Sequence, residues 1–165
     1  SLKCLCLSFF VCCLLAGQTA RVSAVARDRA AEFSLKDQYG KTWTYKFPRG
    51  KISVLAFGDR QGAEQLEGWI RPLYNRYGNR IDINGVAHLA GVPWIARGVV
   101  GAIIKRNTRH SVMLDWEGKV GKNYKYQTGR AGIYLIDRQG NIVSRRTGAA
   151  DGAKLDGLYR EIDGL

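Results

Sequence analysis

Apolar and polar residues alternate across residues 33–37, and the β-forming residues of 42–47 return after a short polar turn. This pattern predicts an antiparallel strand pair, closed by Pro48-Arg49-Gly50. Residues 52–57 are apolar without alternation, as in a central strand covered on both faces. The period then changes. Leu66, Trp69, Ile70, Leu73 and Tyr77 recur at helical spacing, so residues 63–77 read as an amphipathic helix, kinked at Pro72 and ended by Gly78. It is expected to bury Leu66, Ile70 and Leu73. A strand at 81–87, a helix at 93–106, a short strand at 111–114 and a helical turn at 120–126 follow. Residues 131–136 and 142–146 flank a turn at 137–141 and predict a hairpin. Asp151 caps a last helix with Leu155, Leu158, Tyr159 and Ile162 on one face.

Alternating β and α elements imply an α/β sandwich. The expected architecture is a central mixed β-sheet with helices on both faces and an N-terminal β-hairpin. No repeat or interdomain linker interrupts residues 27–165, which read as one domain.

The first 26 residues follow a different logic. Lys3 precedes an almost wholly apolar run at 4–16; Gly17 and a polar stretch follow, and the segment closes on Ala24-Val25-Ala26. This order of positive, apolar and small residues is that of a cleavable signal peptide. The run is too short to span a bilayer, which takes about 20 residues. The domain is therefore expected to be secreted or periplasmic. All four cysteines, Cys4, Cys6, Cys12 and Cys13, lie inside the apolar run, and residues 14–165 contain none. Cleavage near Ala26 would leave a domain without thiols.

Charge narrows the partners. The chain holds 26 Lys and Arg against 14 Asp and Glu, a formal net charge of +12. Such a balance attracts nucleic acid, anionic lipid or acidic polymers. Export makes nucleic acid the least expected of these. The positive residues are scattered, which fits a solvated cationic surface.

Order and residues together resemble the thioredoxin-like superfamily, in its redoxin branch of peroxiredoxin-like and exported thiol-disulfide proteins. Phe33-Ser34-Leu35-Lys36-Asp37-Gln38-Tyr39-Gly40-Lys41 resembles the opening strand and turn. Gly50-Lys51-Ile52-Ser53-Val54-Leu55-Ala56-Phe57, with the helix ending Leu73-Tyr74-Asn75-Arg76-Tyr77-Gly78, is similar to the first central strand and active-site helix. Residues 133–143 are similar to the late hairpin, and there the chain also resembles the small exported YtfJ-like group. The resemblance implies a redox cysteine at the start of that helix, where a low-pKa thiolate acts as nucleophile. The matching window holds Asp59, Arg60 and Gln61 and no cysteine. It also implies a cis-proline near Ala131, where no proline stands.

Other chemistry finds little footing. Asp59 and Arg60 are open to two readings: a polar ligand at a helix N-terminus, or a capping Asp beside a solvated Arg, the commoner arrangement. His88 and His110 have no second ligand at metal spacing, so no metal site is expected. No nucleophile elbow or phosphate loop occurs, and no cofactor is implied. Asp115 and Glu117 read as turn residues rather than an acid pair. Tyr74, Tyr77, Tyr124 and Tyr126 read as core and rim packing in preference to an aromatic patch.

The expected function is that of an exported, cysteine-less thioredoxin-like domain: a non-catalytic binding or accessory protein of the cell envelope, with an unknown protein or small ligand as partner. Two alternatives stay open. One is a redoxin-type oxidoreductase or peroxidase-like enzyme acting without its own thiol. The other is a basic protein associating with an anionic envelope surface.

Overall fold

The computed structural model describes residues 28–165; the segment read as a signal peptide lies outside the described residues. Strands β1 (Phe33–Lys36) and β2 (Thr42–Tyr45) form the antiparallel hairpin. Five strands follow: β3 (Ser53–Gly58), β4 (Asp82–His88), β5 (Val112–Asp115), β6 (Gly132–Ile136) and β7 (Ile142–Thr147). They make one sheet in the order β5-β4-β3-β6-β7. β3, β4 and β5 are parallel, whereas β6 runs antiparallel to β3 and β7 antiparallel to β6.

β3 lies in the middle, and all six of its residues are buried. That is why its apolar run does not alternate. Each side feeds a different core. Val54 and Ala56 pack with Trp69 and Leu73 of α2 (Glu67–Tyr77) and Leu158 of α5 (Gly152–Asp163). Leu55 and Phe57 face the hairpin through Tyr45, and Val120 and Tyr124, which start and follow the short helix at Lys119–Asn123.

The helix expected at 63–77 is two helices. α1 (Arg60–Ala63) begins earlier, with Asp59 as its cap, and the break falls at 64–66. α2 itself runs on through Pro72. Its inward row is Trp69, Leu73 and Tyr77, four residues apart, while Leu66 and Ile70 are only partly buried. Trp69 leads that row because its ring can be buried with its polar atom satisfied: the indole N–H donates to the Gly148 carbonyl at 2.9 Å. The next helix, α3 (Arg97–Asn107), follows a 3₁₀ turn at Trp94–Ala96, and none of its residues is buried. α2 and α3 flank a cleft of about 400 Å³ floored by Ile83, Gly85 and Ala87 of β4. The later short helix, Lys119–Asn123, is α4.

Two turns share one design. In each, an Asp Oδ1 accepts the amides two and four residues on: Tyr39 and Lys41 for Asp37, both at 2.9 Å, and Gln139 and Asn141 for Asp137, at 3.0 and 2.8 Å. The residue between is glycine at positive φ, +82° at Gly40 and +93° at Gly140, which a side chain would oppose. Asp37 does more. Its Oδ2 accepts Trp43 Nε1 at 2.8 Å and Ser111 Oγ at 2.9 Å, fastening the hairpin to the start of β5.

Leu55→Ala is expected to cost about 2–5 kcal/mol, the range for emptying a fully buried leucine site. Urea titration measures it, and a loss well under about 1 kcal/mol would mean that β3 is peripheral.

Candidate functional site

The three parallel strands end at one edge of the sheet, with Gly58, His88 and Asp115 as their last residues. In open α/β sheets, ligands collect outside the carboxyl ends of the strands. α1 and the loop leading into β6 lie across this edge. Gly58 lets α1 approach: a Cβ there would stand 2.9 Å from the Ala63 amide nitrogen. Gly62 lets the loop approach: a Cβ there would meet the Arg130 carbonyl oxygen at 2.5 Å.

The Asp59 carboxylate holds this contact shut. Its Oδ1 accepts the Gly62 N–H at 2.8 Å, the capping arrangement, and its Oδ2 accepts the Gly129 N–H at 2.6 Å. Burial pushes the Asp59 pKa up, but the bonds from Gly62 and Gly129 outweigh it and hold the carboxyl below its ordinary range. Tyr126 adds a second tie, accepting the Asp59 N–H at 2.9 Å and donating to the Arg130 carbonyl at 2.8 Å. Burial is the main cause of its pKa being pushed up to about 12, so the hydroxyl keeps its proton at neutral pH and can do both. Gln65 makes a third, its Oε1 accepting the Ala131 N–H at 3.1 Å. Asp59 and Ala131 thus belong to one small network. Arg60 and Gln61 are exposed at the start of α1. The peptide bond before Ala131 is trans; the one cis bond among the described residues is Phe47–Pro48.

His88 and Asp115 stand side by side in the parallel register of β4 and β5, with Nδ1 and Oδ2 3.7 Å apart. Asp115 is buried, and its Oδ2 accepts the Gly121 N–H at 2.8 Å. The imidazole lies against α4, where a Cβ on Gly121 would come within 2.5 Å of Nδ1. Its other neighbour is the Tyr126 ring, 5.2 Å between centroids. His88 Nδ1 has no hydrogen-bond partner, and among the described residues no hydroxyl bonds to either ring nitrogen. A His–Asp pair needs a nucleophile or a polarised water in reach to do acid–base work, and the hydroxyl of Tyr126, whose ring packs on His88, is spent on backbone groups. Among the described residues no group of three His, Cys, Asp or Glu could hold a metal ion.

No family model and no curated protein match the sequence. Solved structures do. The exposed lipoprotein thioredoxin Etrx1 of Streptococcus pneumoniae superposes with a TM-score of 0.65 at 19% identity, over 82% of this chain and all of that one. StoA of Bacillus subtilis gives 0.61 at 19% identity, over 79% and 97%. A thiol-disulfide oxidoreductase of Bacteroides fragilis gives 0.59 at 22%, over 81% and 98%. The fold is thioredoxin-like.

Several parts of this thioredoxin-like edge are not apparent from the sequence pattern. Tyr126, Gln65 and Gly129 join the network from loops and helix turns without a motif. The His88–Asp115 pairing had a signal: each residue follows or ends a predicted strand, and consecutive parallel strands bring such ends together. The four tyrosines at 74, 77, 124 and 126 do not form one patch. Tyr77 packs by Tyr159 beneath α5, Tyr124 and Tyr126 pack on Phe57, and Tyr74 is exposed.

Asp59→Ala is expected to lower stability by about 1–2 kcal/mol, as loss of a helix cap does. A folded-state pKa below the ordinary 3.8 means that the ionised Asp59 stabilises fully above that value and loses its effect as pH falls through the lowered one. Urea titrations across the acid range should therefore show a shallower acid loss in Asp59→Asn than in wild type. Equal slopes would mean that the carboxylate makes no net bond.

Proposed function

We propose that residues 27–165 are an exported thioredoxin-like domain of the cell envelope that does no thiol chemistry and serves as a binding or accessory module. The observation that carries this reading is the state of Asp59. In the window where the redoxin resemblance implies a thiol, the chain has no cysteine, and its Asp59 carboxylate has both oxygens committed to backbone amides. The reaction cannot move to another sulfur in the domain. Residues 14–165 have no cysteine, and their one methionine, Met113, is a buried thioether. Dithiol reduction, disulfide isomerisation and thiol peroxidation each pass through an enzyme cysteine sulfur bonded to a substrate sulfur, as a mixed disulfide, or to oxygen, as a sulfenic acid.

The resemblance to the exported redoxin branch, and to the YtfJ-like group at the closing hairpin, fits this reading. So does the signal-peptide order of residues 1–26. The module is proposed to bind a protein or small ligand, or an anionic envelope surface; the thioredoxin-like scaffold does not by itself fix which. For a non-thiol enzyme the His88–Asp115 pair is a candidate acid–base group.

Insulin reduction and peroxide consumption test the proposal, with dithiothreitol or a thioredoxin system as electron donor. The processed protein is expected to give no turnover above the protein-free background. Turnover that survives removal of metals and contaminating thiol proteins would overturn it in favour of the non-thiol enzyme.

A further inference from the structure

The loose packing of α3 leaves apolar surface that the domain itself does not cover. Trp94 is 80% exposed, Ile95 77%, Val99 64% and Ile103 44%. Ile95, Val99 and Ile103 are spaced four residues apart, which sets them along one side of the helix and the turn that leads into it. Single exposed apolar residues are ordinary, but a contiguous row of this kind marks an interaction surface.

The charge around this ridge narrows what it meets. No Asp or Glu occurs between Ile83 and Leu114, while Lys105, Arg106 and Arg109 stand at the C-terminal end of α3. Among the described residues none of these three is joined to a carboxylate by a salt bridge. Arg97, at the other end, is paired with Glu117 at 2.9 Å. Exposed aromatic rings stand at both ends: Trp94 before α3, and Tyr39 beneath the Lys105 ammonium, 5.5 Å from ring centroid to Nζ.

The geometry points to the surface of an anionic lipid bilayer as the occupant, with α3 lying in the headgroup plane. A helix that presents apolar side chains outward, flanked by cations and bounded by Trp and Tyr, matches the interface between hydrocarbon and headgroups. The other occupants fit less well. A second copy would bring two basic ridges together. A hydrophilic polyanion would gain nothing by covering Trp94 and Ile95. The assignment does not depend on whether the domain performs thiol chemistry.

Sedimentation of the full chain with vesicles tests it. One set is phosphatidylcholine alone, the other an equal mixture of phosphatidylcholine and phosphatidylglycerol, both at low salt. The apolar run of residues 4–16 can enter both sets and the rest of the basic chain also favours the anionic one, so the change in the anionic-to-neutral ratio between wild type and variant reads the α3 contribution. Wild type should favour the anionic set at least tenfold. The triple variant Lys105→Gln, Arg106→Gln, Arg109→Gln, which removes three positive charges, should lower binding to the anionic set by about a hundredfold, at about fivefold per charge removed. Trp94→Ser with Ile95→Ser should weaken anionic binding at least tenfold. If either variant unfolds, bromine-labelled lipid replaces it: quenching of wild-type fluorescence that falls in Trp94→Phe supports the assignment. Equal binding to both vesicle sets, or binding unchanged by both variants, overturns it. So does a dimer that Trp94→Ser abolishes without vesicle binding, and so does salt-sensitive binding indifferent to Trp94.

Discussion

One carboxylate ties together the edge of the sheet at the carboxyl ends of its parallel strands, where open α/β sheets collect ligands. Asp59 accepts one amide from α1 and one from the loop before β6, at 2.8 and 2.6 Å. The two donors lie far apart in sequence, so the bonds close a tertiary contact as well as a helix end. Charge-assisted bonds of this kind are roughly twice as strong as neutral ones. They explain why two glycines are needed nearby. Gly58 and Gly62 remove the Cβ atoms that would hold strand, helix and loop apart.

The consequence for function runs through space rather than through a missing residue alone. A thiol site needs a nucleophile at the helix start and an open groove in front of it. Here the helix start is capped from its own side, Tyr126 ties the Asp59 amide to the Arg130 carbonyl, and Gln65 binds Ala131. These groups satisfy one another, so the energetic cost of parting them falls on any ligand that would enter. An apolar surface is left uncovered elsewhere, on α3 and the turn before it, where Trp94, Ile95, Val99 and Ile103 are exposed. The described residues thus tie the carboxyl edge of the sheet together and leave the outer side of α3 exposed.

Much of this architecture was legible in the sequence, for physical reasons. The unbroken apolar run of β3 reports burial on both sides, and the Asp-x-x-Gly turns announce their hairpins. Other features depend on contacts that no local pattern records. At the break, 64–66, the Gln65 and Leu66 amides turn back to Gly62 and Ala63, and the Gln65 side chain reaches Ala131 in a part of the chain remote in sequence. The inward row of α2 shifts from Leu66 and Ile70 toward Trp69 because Gly148 offers its indole a carbonyl. The exposure of α3 was not legible, since Val99-Val100 and Ile103-Ile104 place apolar residues on both sides of the helix. At the site, the window of Asp59, Arg60, Gln61 and Ala131 could be located by order along the chain. Its partner Tyr126, and the meeting of His88 with Asp115, needed the loop path and the strand register.

Amide hydrogen exchange at Gly129 and Ala131 tests the closed edge most directly. Both amides sit in an irregular loop and would exchange rapidly if the loop stood free. Bonded to Asp59 and Gln65, they should exchange as slowly as amides of the neighbouring strand β6, with Gly129 losing its protection in Asp59→Ala. Exchange of Gly129 at the rate of an unstructured loop in the wild-type protein would show that the edge is open and contradict the account.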